Sequence, residues 1–185
     1  MRILALCGSL RAASHNAALL RATARLAPDG IEVICDHGIG DLPLFNPDQE
    51  ASDPMPVAAL RRRIIAADAL IIASPEYAHG VSGVMKNALD WMVGCEAFVN
   101  KPVALFNASP RAVHAQAALR EILVTMSAQL VDAASIGVPL LGAKLDEDGI
   151  VGHPEMAASL VTALHALRQA VRPETVSAAA QLDAR

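Results

Sequence analysis

A chain of 185 residues is long enough to bury about 70% of its unfolded surface in one core. With 54% hydrophobic but only 3% aromatic residues, that core must be built from Ala, Val, Leu and Ile, and a formal net charge of −4 argues against a nucleic-acid-binding surface. Cys7, Cys35 and Cys95 are odd in number, far apart and without ligand spacing, which argues against a disulfide framework or a zinc site. No run is long enough to span a bilayer and the first apolar run is too short for a signal peptide, so a reducing, cytoplasmic setting is expected.

Residues 3–7 read as a buried strand, followed by the polar loop 8–16 and an Ala/Leu-rich helix over 17–27. A second β-prone run covers 31–35. Gly38, Gly40, Pro43, Pro47, Pro54 and Pro56 then predict a long surface loop over 36–56 rather than an element. Val57, Leu60 and Ile64 recur at helical spacing, and in the same pattern Arg61, Arg62 and Arg63 form the one basic cluster, expected on a solvated face. The continuous apolar run 69–73 is a strand buried on both faces. A polar turn over 74–82 leads to a helix over 83–93, marked by Val84, Met85, Ala88, Leu89 and Met92.

A fourth strand is predicted over 102–107, then a polar turn over 108–114 and a helix lined by Ala115, Leu119, Ile122, Leu123 and Met126. The fifth strand, 131–138, is diluted by Ser135 and Gly137, and 140–153 reads as a loop. Met156, Leu160, Leu164, Leu167 and Val171 give a last amphipathic helix, ended by Pro173. Residues 1–172 are therefore expected to form a single domain and 173–185 a flexible tail. Strict strand–helix alternation predicts an α/β fold. Right-handed crossovers make it a doubly wound, five-stranded parallel sheet with helices on both faces, in the flavodoxin-like order 2-1-3-4-5. In that order the polar turns after strands 1, 3 and 4 meet at the crevice where the winding reverses.

The first of these turns carries Ser9, Arg11, Ser14 and Asn16 between a strand and a helix N-terminus. Such donors, with the positive end of the helix, suit a phosphate of about two negative charges. The loop lacks the glycines of a dinucleotide turn and the Gly-Lys-Ser/Thr of a triphosphate loop. Its alternative reading is a polar turn in which Ser14 only caps the helix. In the second turn Pro75 sets the chain's course, and the amides from Glu76 to His79 are expected to be unpaired and available to a flat heterocycle. Tyr77, the one tyrosine, suits a stacking or edge role; alternatively it packs into the core and Glu76 caps the next helix. His79 is a speculative proton donor or an exposed loop residue. Ser109, Pro110 and Arg111 stand where they could close the far side. Trp91 reads as a packing anchor at a subunit contact or core edge, and Lys86 as a local partner of Asp90.

The combination of Gly8-Ser9-Leu10-Arg11 with Ser14 and Asn16, then Ser74-Pro75-Glu76-Tyr77, then residues 83–91 (Gly-Val-Met-Lys-Asn-Ala-Leu-Asp-Trp), resembles the NAD(P)H-dependent FMN reductases, a family of flavin, quinone, azo-dye and chromate reductases. The resemblance implies FMN as cofactor and NADPH or NADH as co-substrate, with hydride relayed through the flavin to a small-molecule electron acceptor. It places Ser9, Arg11, Ser14 and Asn16 at the FMN phosphate and Pro75, Glu76, Tyr77, Ala78, His79 and Gly80 around the isoalloxazine ring, with Ser109 on the far side. It also implies a homodimer or homotetramer. Ala78 departs from the Asn that many members carry, and the turn 109–114 lacks their frequent Gly-Gly. Two other readings stay open: an FMN-binding electron carrier or redox sensor without fast NAD(P)H turnover, and an FMN-free domain whose loop binds another anion.

Overall fold

The computed structural model describes residues 1–109, 111–140 and 145–171. β1 (Arg2–Cys7) lies at the centre, hydrogen-bonded in parallel to β2 (Glu32–Cys35) on one side and to β3 (Ala69–Ala73) on the other. A short antiparallel hairpin, β4 (Glu76–Tyr77) and β5 (Gly80–Val81), stands apart from this sheet. β6 (Pro102–Asn107) extends the sheet beyond β3, and β7 (Gln129–Leu130) and β8 (Ile136–Gly137) both pair with β6. The path β2-β1-β3-β6-β7 is the expected doubly wound, flavodoxin-like arrangement.

Because side chains alternate across a strand, the apolar runs feed two cores. Leu4, Leu6, Leu70, Ile72, Val103 and Leu105 point to one face, under α2 (Met55–Ala66), α3 (Gly83–Met92) and α4 (Val113–Thr125). Ile3, Ala5, Ile71, Ala104 and Phe106 point to the other, under α1 (His15–Arg25) and α6 (Pro154–Val171). Burial on both faces explains why these strands are continuous apolar runs instead of alternating ones.

Four expectations are corrected. The fifth strand is not continuous over 131–138: a 3-10 turn, Asp132–Ala134, separates β7 from β8. Ser135 replaces the missing main-chain partner there, its Oγ accepting from the Leu105 amide and donating to the Val131 carbonyl, both at 3.0 Å. The stretch 36–56 carries structure of its own, in 3-10 turns Ile39–Asp41 and Pro47–Ser52, and α2 begins at Met55 because a proline is tolerated in a first helical turn. Asn87 and Trp91 sew this stretch to α3. The Phe45 amide donates to Asn87 Oδ1 at 2.7 Å, and Trp91 Nε1 donates to the Pro43 carbonyl at 2.8 Å. Trp91 is thus an anchor at the core edge.

The basic cluster is not simply a solvated face. Arg63 forms an ion pair with buried Asp36 at 2.6 Å, and Arg61 one with Asp53 at 2.7 Å. Finally, the stretch 140–153 contains α5 (Glu147–Val151), capped by Asp146, with Glu147 paired to Arg21 of α1 at 2.8 Å. The predicted tail, 173–185, and Gly142 lie outside the described residues. Among the described residues, no helix is long and apolar enough to cross a membrane.

The carboxyl ends of β1 and β3 are tied together at Gly8. Its amide donates to the Ala73 carbonyl at 2.8 Å, and a Cβ there would lie 2.6 Å from Ser74 Oγ and 2.8 Å from Ser82 Oγ. Gly8→Val is therefore expected to lower stability by about 1–3 kcal/mol through overpacking. Thermal denaturation without ligand checks it: an unchanged midpoint would mean that the two strand ends have room to separate.

Candidate functional site

At the carboxyl ends of the central strands lies a cavity of about 300 Å³ walled by all three polar turns. Ser9, Arg11, Ser14 and Asn16 come from the first, Pro75, Glu76 and Tyr77 from the second, and Ser109 from the third. These eight predicted site residues share one space. Ala78, His79 and Gly80 do not belong to its wall; they form the tip of the β4–β5 hairpin. Ala13, His15, Ser74, Asn107, Ala108, Arg111 and Ala112 line the cavity as well.

Two helix N-termini face this space, and their chemistry differs. At α1, Ser14 Oγ accepts from the Ala17 amide at 3.2 Å and the Ser14 carbonyl accepts from Ala18, so Ser14 is a cap as well as a wall residue. The amides of His15 and Asn16 find no acceptor among the described residues. Asn16 is buried, and its Oδ1 has no hydrogen-bond partner. Buried polar groups are nearly always satisfied, so an orphan on a residue of the cavity wall is a place where a polar ligand would supply the partner. Arg11 is exposed on the loop and takes no part in the ion pairs of the described residues.

At α4 the position is already taken. The residue before the helix, Ala112, has no side chain to cap it, and the Ala115 amide instead donates to Glu76 Oε2 at 2.9 Å. Glu76 does cap a helix, but α4 rather than the next one in the chain. A carboxylate sits at the positive end of α4, which leaves α1 as the terminus open to an anion. The same bond ties the second turn to the third.

The expectation of unpaired amides from Glu76 to His79 is corrected in part by the hairpin, whose register sets Glu76 against Val81 and Tyr77 against Gly80; the amides of its turn residues, Ala78 and His79, find no acceptor among the described residues. Its two central residues, Ala78 (φ 49°) and His79 (φ 60°), are both left-handed, as a tight twisted hairpin requires. No Asn-Gly pair signalled this turn. His79 stacks on His114 of α4 with ring centroids 4.5 Å apart, a second clasp between the same two walls. Alanine is strained in the left-handed region and asparagine tolerates it. Ala78→Asn is therefore expected to stabilise the protein by about 0.5–1 kcal/mol, read as a raised melting temperature. A lowered one would show that the turn carries no such strain.

Tyr77 is 57% exposed at the cavity mouth and does not pack into the core. On the far side, Asn107 Oδ1 accepts from the Ser109 amide at 2.9 Å, an Asx turn that stiffens the third wall. Asn107 escaped the sequence reading, although an Asn at a strand end two residues before Ser109 carries that signal.

A doubly wound sheet with an open helix N-terminus at the carboxyl ends of its central strands defines a protein of the flavodoxin-like class. Comparison with known proteins narrows it. The family model for NADPH-dependent FMN reductases matches residues 1–140, and the chain belongs to that family. A quinone reductase of Escherichia coli strain K12 is 34% identical over 139 residues, covering 71% of this chain and 74% of that one. An NAD(P)H-dependent FMN reductase of Pseudomonas aeruginosa is 39% identical over 131 residues, covering 67% and 70%. Among solved structures, FerB, a flavoenzyme NAD(P)H:(acceptor) oxidoreductase from Paracoccus denitrificans, superposes with a TM-score of 0.82 at 30% identity, covering 92% of this chain and 97% of that one.

Proposed function

We propose that this protein is an FMN-dependent NAD(P)H oxidoreductase that passes hydride to a quinone, a flavin or a similar small acceptor. The observation that carries the reading is the single cavity joining the open N-terminus of α1 to the wall of Pro75 and Tyr77. The residues fit the cofactor: a dianion suits Arg11, Ser9 and the free amides of His15 and Asn16, while the orphaned Asn16 Oδ1 suits a hydroxyl donor. FMN, when bound, supplies the hydride chemistry.

The chain's own residues do the positioning. Ser9, Arg11, Ser14 and Asn16 hold the phosphate end. Pro75, Glu76 and Tyr77 orient the flat end, with Ser109 and Asn107 behind it. The exposed mouth at Tyr77 would leave room beside a bound flavin for the nicotinamide cofactor and for the acceptor.

Residues 1–172 act as one unit in this proposal, in a reducing cytoplasmic setting consistent with the free thiols of Cys7, Cys35 and Cys95. A homodimer or homotetramer is proposed too, supported by the exposed apolar side chains Leu44, Met55, Ile65 and Val93. Analytical ultracentrifugation decides the assembly, and a monomer at micromolar concentration would refute it. For the activity, the purified protein is loaded with FMN and the NADPH absorbance is followed with and without a quinone. Acceptor-dependent oxidation is expected. A yellow protein that oxidises neither NADPH nor NADH would instead be an electron carrier, and a colourless one that FMN does not stabilise against heat would exclude the cofactor.

A further inference from the structure

The phosphate loop has a second side. Across it, at the carboxyl ends of β1 and β2, lies another cavity of about 260 Å³, to which Ser9 and Arg11 also contribute. Its floor is apolar, with Leu20 and Ile39, and its rim carries Arg21 and His37. The Arg21 guanidinium uses its Nε on Glu147 at 2.8 Å, which leaves donors of the same group for another partner. Cys7 and Cys35 lie on the same wall as neutral thiols, because burial pushes both of them up from their ordinary value.

In dinucleotide-binding sheets of the other doubly wound order, 3-2-1-4-5-6, an acidic residue about 20 residues beyond the phosphate turn holds a ribose hydroxyl, and a nearby arginine accommodates a ribose phosphate. Here the acid that follows β2 is Asp36, and its charge is held within the fold. Its side chain is 2% exposed, paired to Arg63 at 2.6 Å and accepting from the Gly38 amide at 2.9 Å. With Asp36 paired to Arg63, the polar groups left to a ligand in this cavity are Arg11, Arg21 and His37 over an apolar base, a combination suited to an adenine ring joined to a ribose phosphate.

We propose that this second cavity is an adenylate site, placed across the loop from the flavin phosphate, with Arg21 and His37 as the phosphate-binding groups. The inference rests on the proposed function for the flavin in the first cavity. The adenylate has two chemical sources, the far half of a flavin dinucleotide and the far half of the nicotinamide dinucleotide.

The test is calorimetric titration of the FMN-loaded protein with AMP, with the flavin absorbance followed in the same sample. One AMP per chain is expected at submillimolar affinity with the flavin retained, weakened about tenfold or more in Arg21→Gln and in His37→Ala. Cys35→Phe, which fills the cavity from β2, should abolish binding; if it fails to fold, the two polar variants still decide. FAD binding tighter than FMN, with the advantage lost in Arg21→Gln, assigns the adenylate to the flavin. A raised KM for NADPH in Arg21→Gln, with FAD and FMN bound equally, assigns it to the nicotinamide nucleotide. The proposal is overturned by no AMP binding at millimolar concentration, by AMP binding that expels FMN, or by affinity unchanged in both polar variants. Should the chain not hold FMN at all, the same titration of the apoprotein still reads the second cavity, so the two proposals fail separately.

Discussion

Replacing Arg11 with alanine is expected to weaken FMN binding by about 1.5–3 kcal/mol, the scale of a hydrogen bond to a charged group. Arg11 lines the main cavity from an exposed loop position, so its removal leaves no hole in either core. Folding stability without FMN should therefore stay within about 0.5 kcal/mol of the parent. Arg11→Lys keeps the charge but loses the planar fork and should fall between the two. Titration followed by flavin fluorescence measures all three proteins. Equal affinities in the parent and Arg11→Ala would remove this residue from the phosphate site and leave α1's amides as the anchor.

Glu76→Ala should act by a different route. The carboxylate holds the Ala115 amide at 2.9 Å, in a partly buried contact between residues 39 apart in the chain. Removing it leaves that amide without its acceptor and unties two walls of the cavity, at an expected cost of about 1–3 kcal/mol in stability. FMN affinity should fall as well, because the bound geometry must then be restored from a looser one. Glu76→Gln retains a carbonyl acceptor and should recover most of both losses. Thermal denaturation with FMN titration separates the outcomes: loss of stability with unaltered flavin affinity would confine Glu76 to holding the fold.

These two residues show where sequence reading succeeds and where it stops. Arg11 was legible because its loop lies between a strand and a helix that are neighbours in the chain, so its surroundings follow from local geometry. Glu76 was only half legible. That it caps a helix is within reach of side-chain chemistry, but which helix depends on α4 being folded back against the hairpin. The hairpin itself was hidden, since Ala78 and His79 are not residues that announce a left-handed turn. Arg63 belongs with it: in a helical pattern it looks solvated, and only the packing of α2 over β1, whose neighbour β2 ends just before Asp36, brings the two together. The fifth strand was blurred for a related reason, because the Ser135 hydroxyl does work that main-chain atoms usually do.

The order of apolar runs and breakers by itself determined β1, β2, β3 and β6, their winding and the crevice toward which the three turns converge. Buried strands and right-handed crossovers leave few arrangements open, and these depend on periodicity along the chain. Only the tertiary structure decided which groups meet there: the carboxylate on α4, the open amides of α1, the stacked imidazoles and the second cavity behind the loop. Those contacts join residues far apart in the chain, and their partners are chosen by packing and hydrogen-bond satisfaction, which no local pattern encodes.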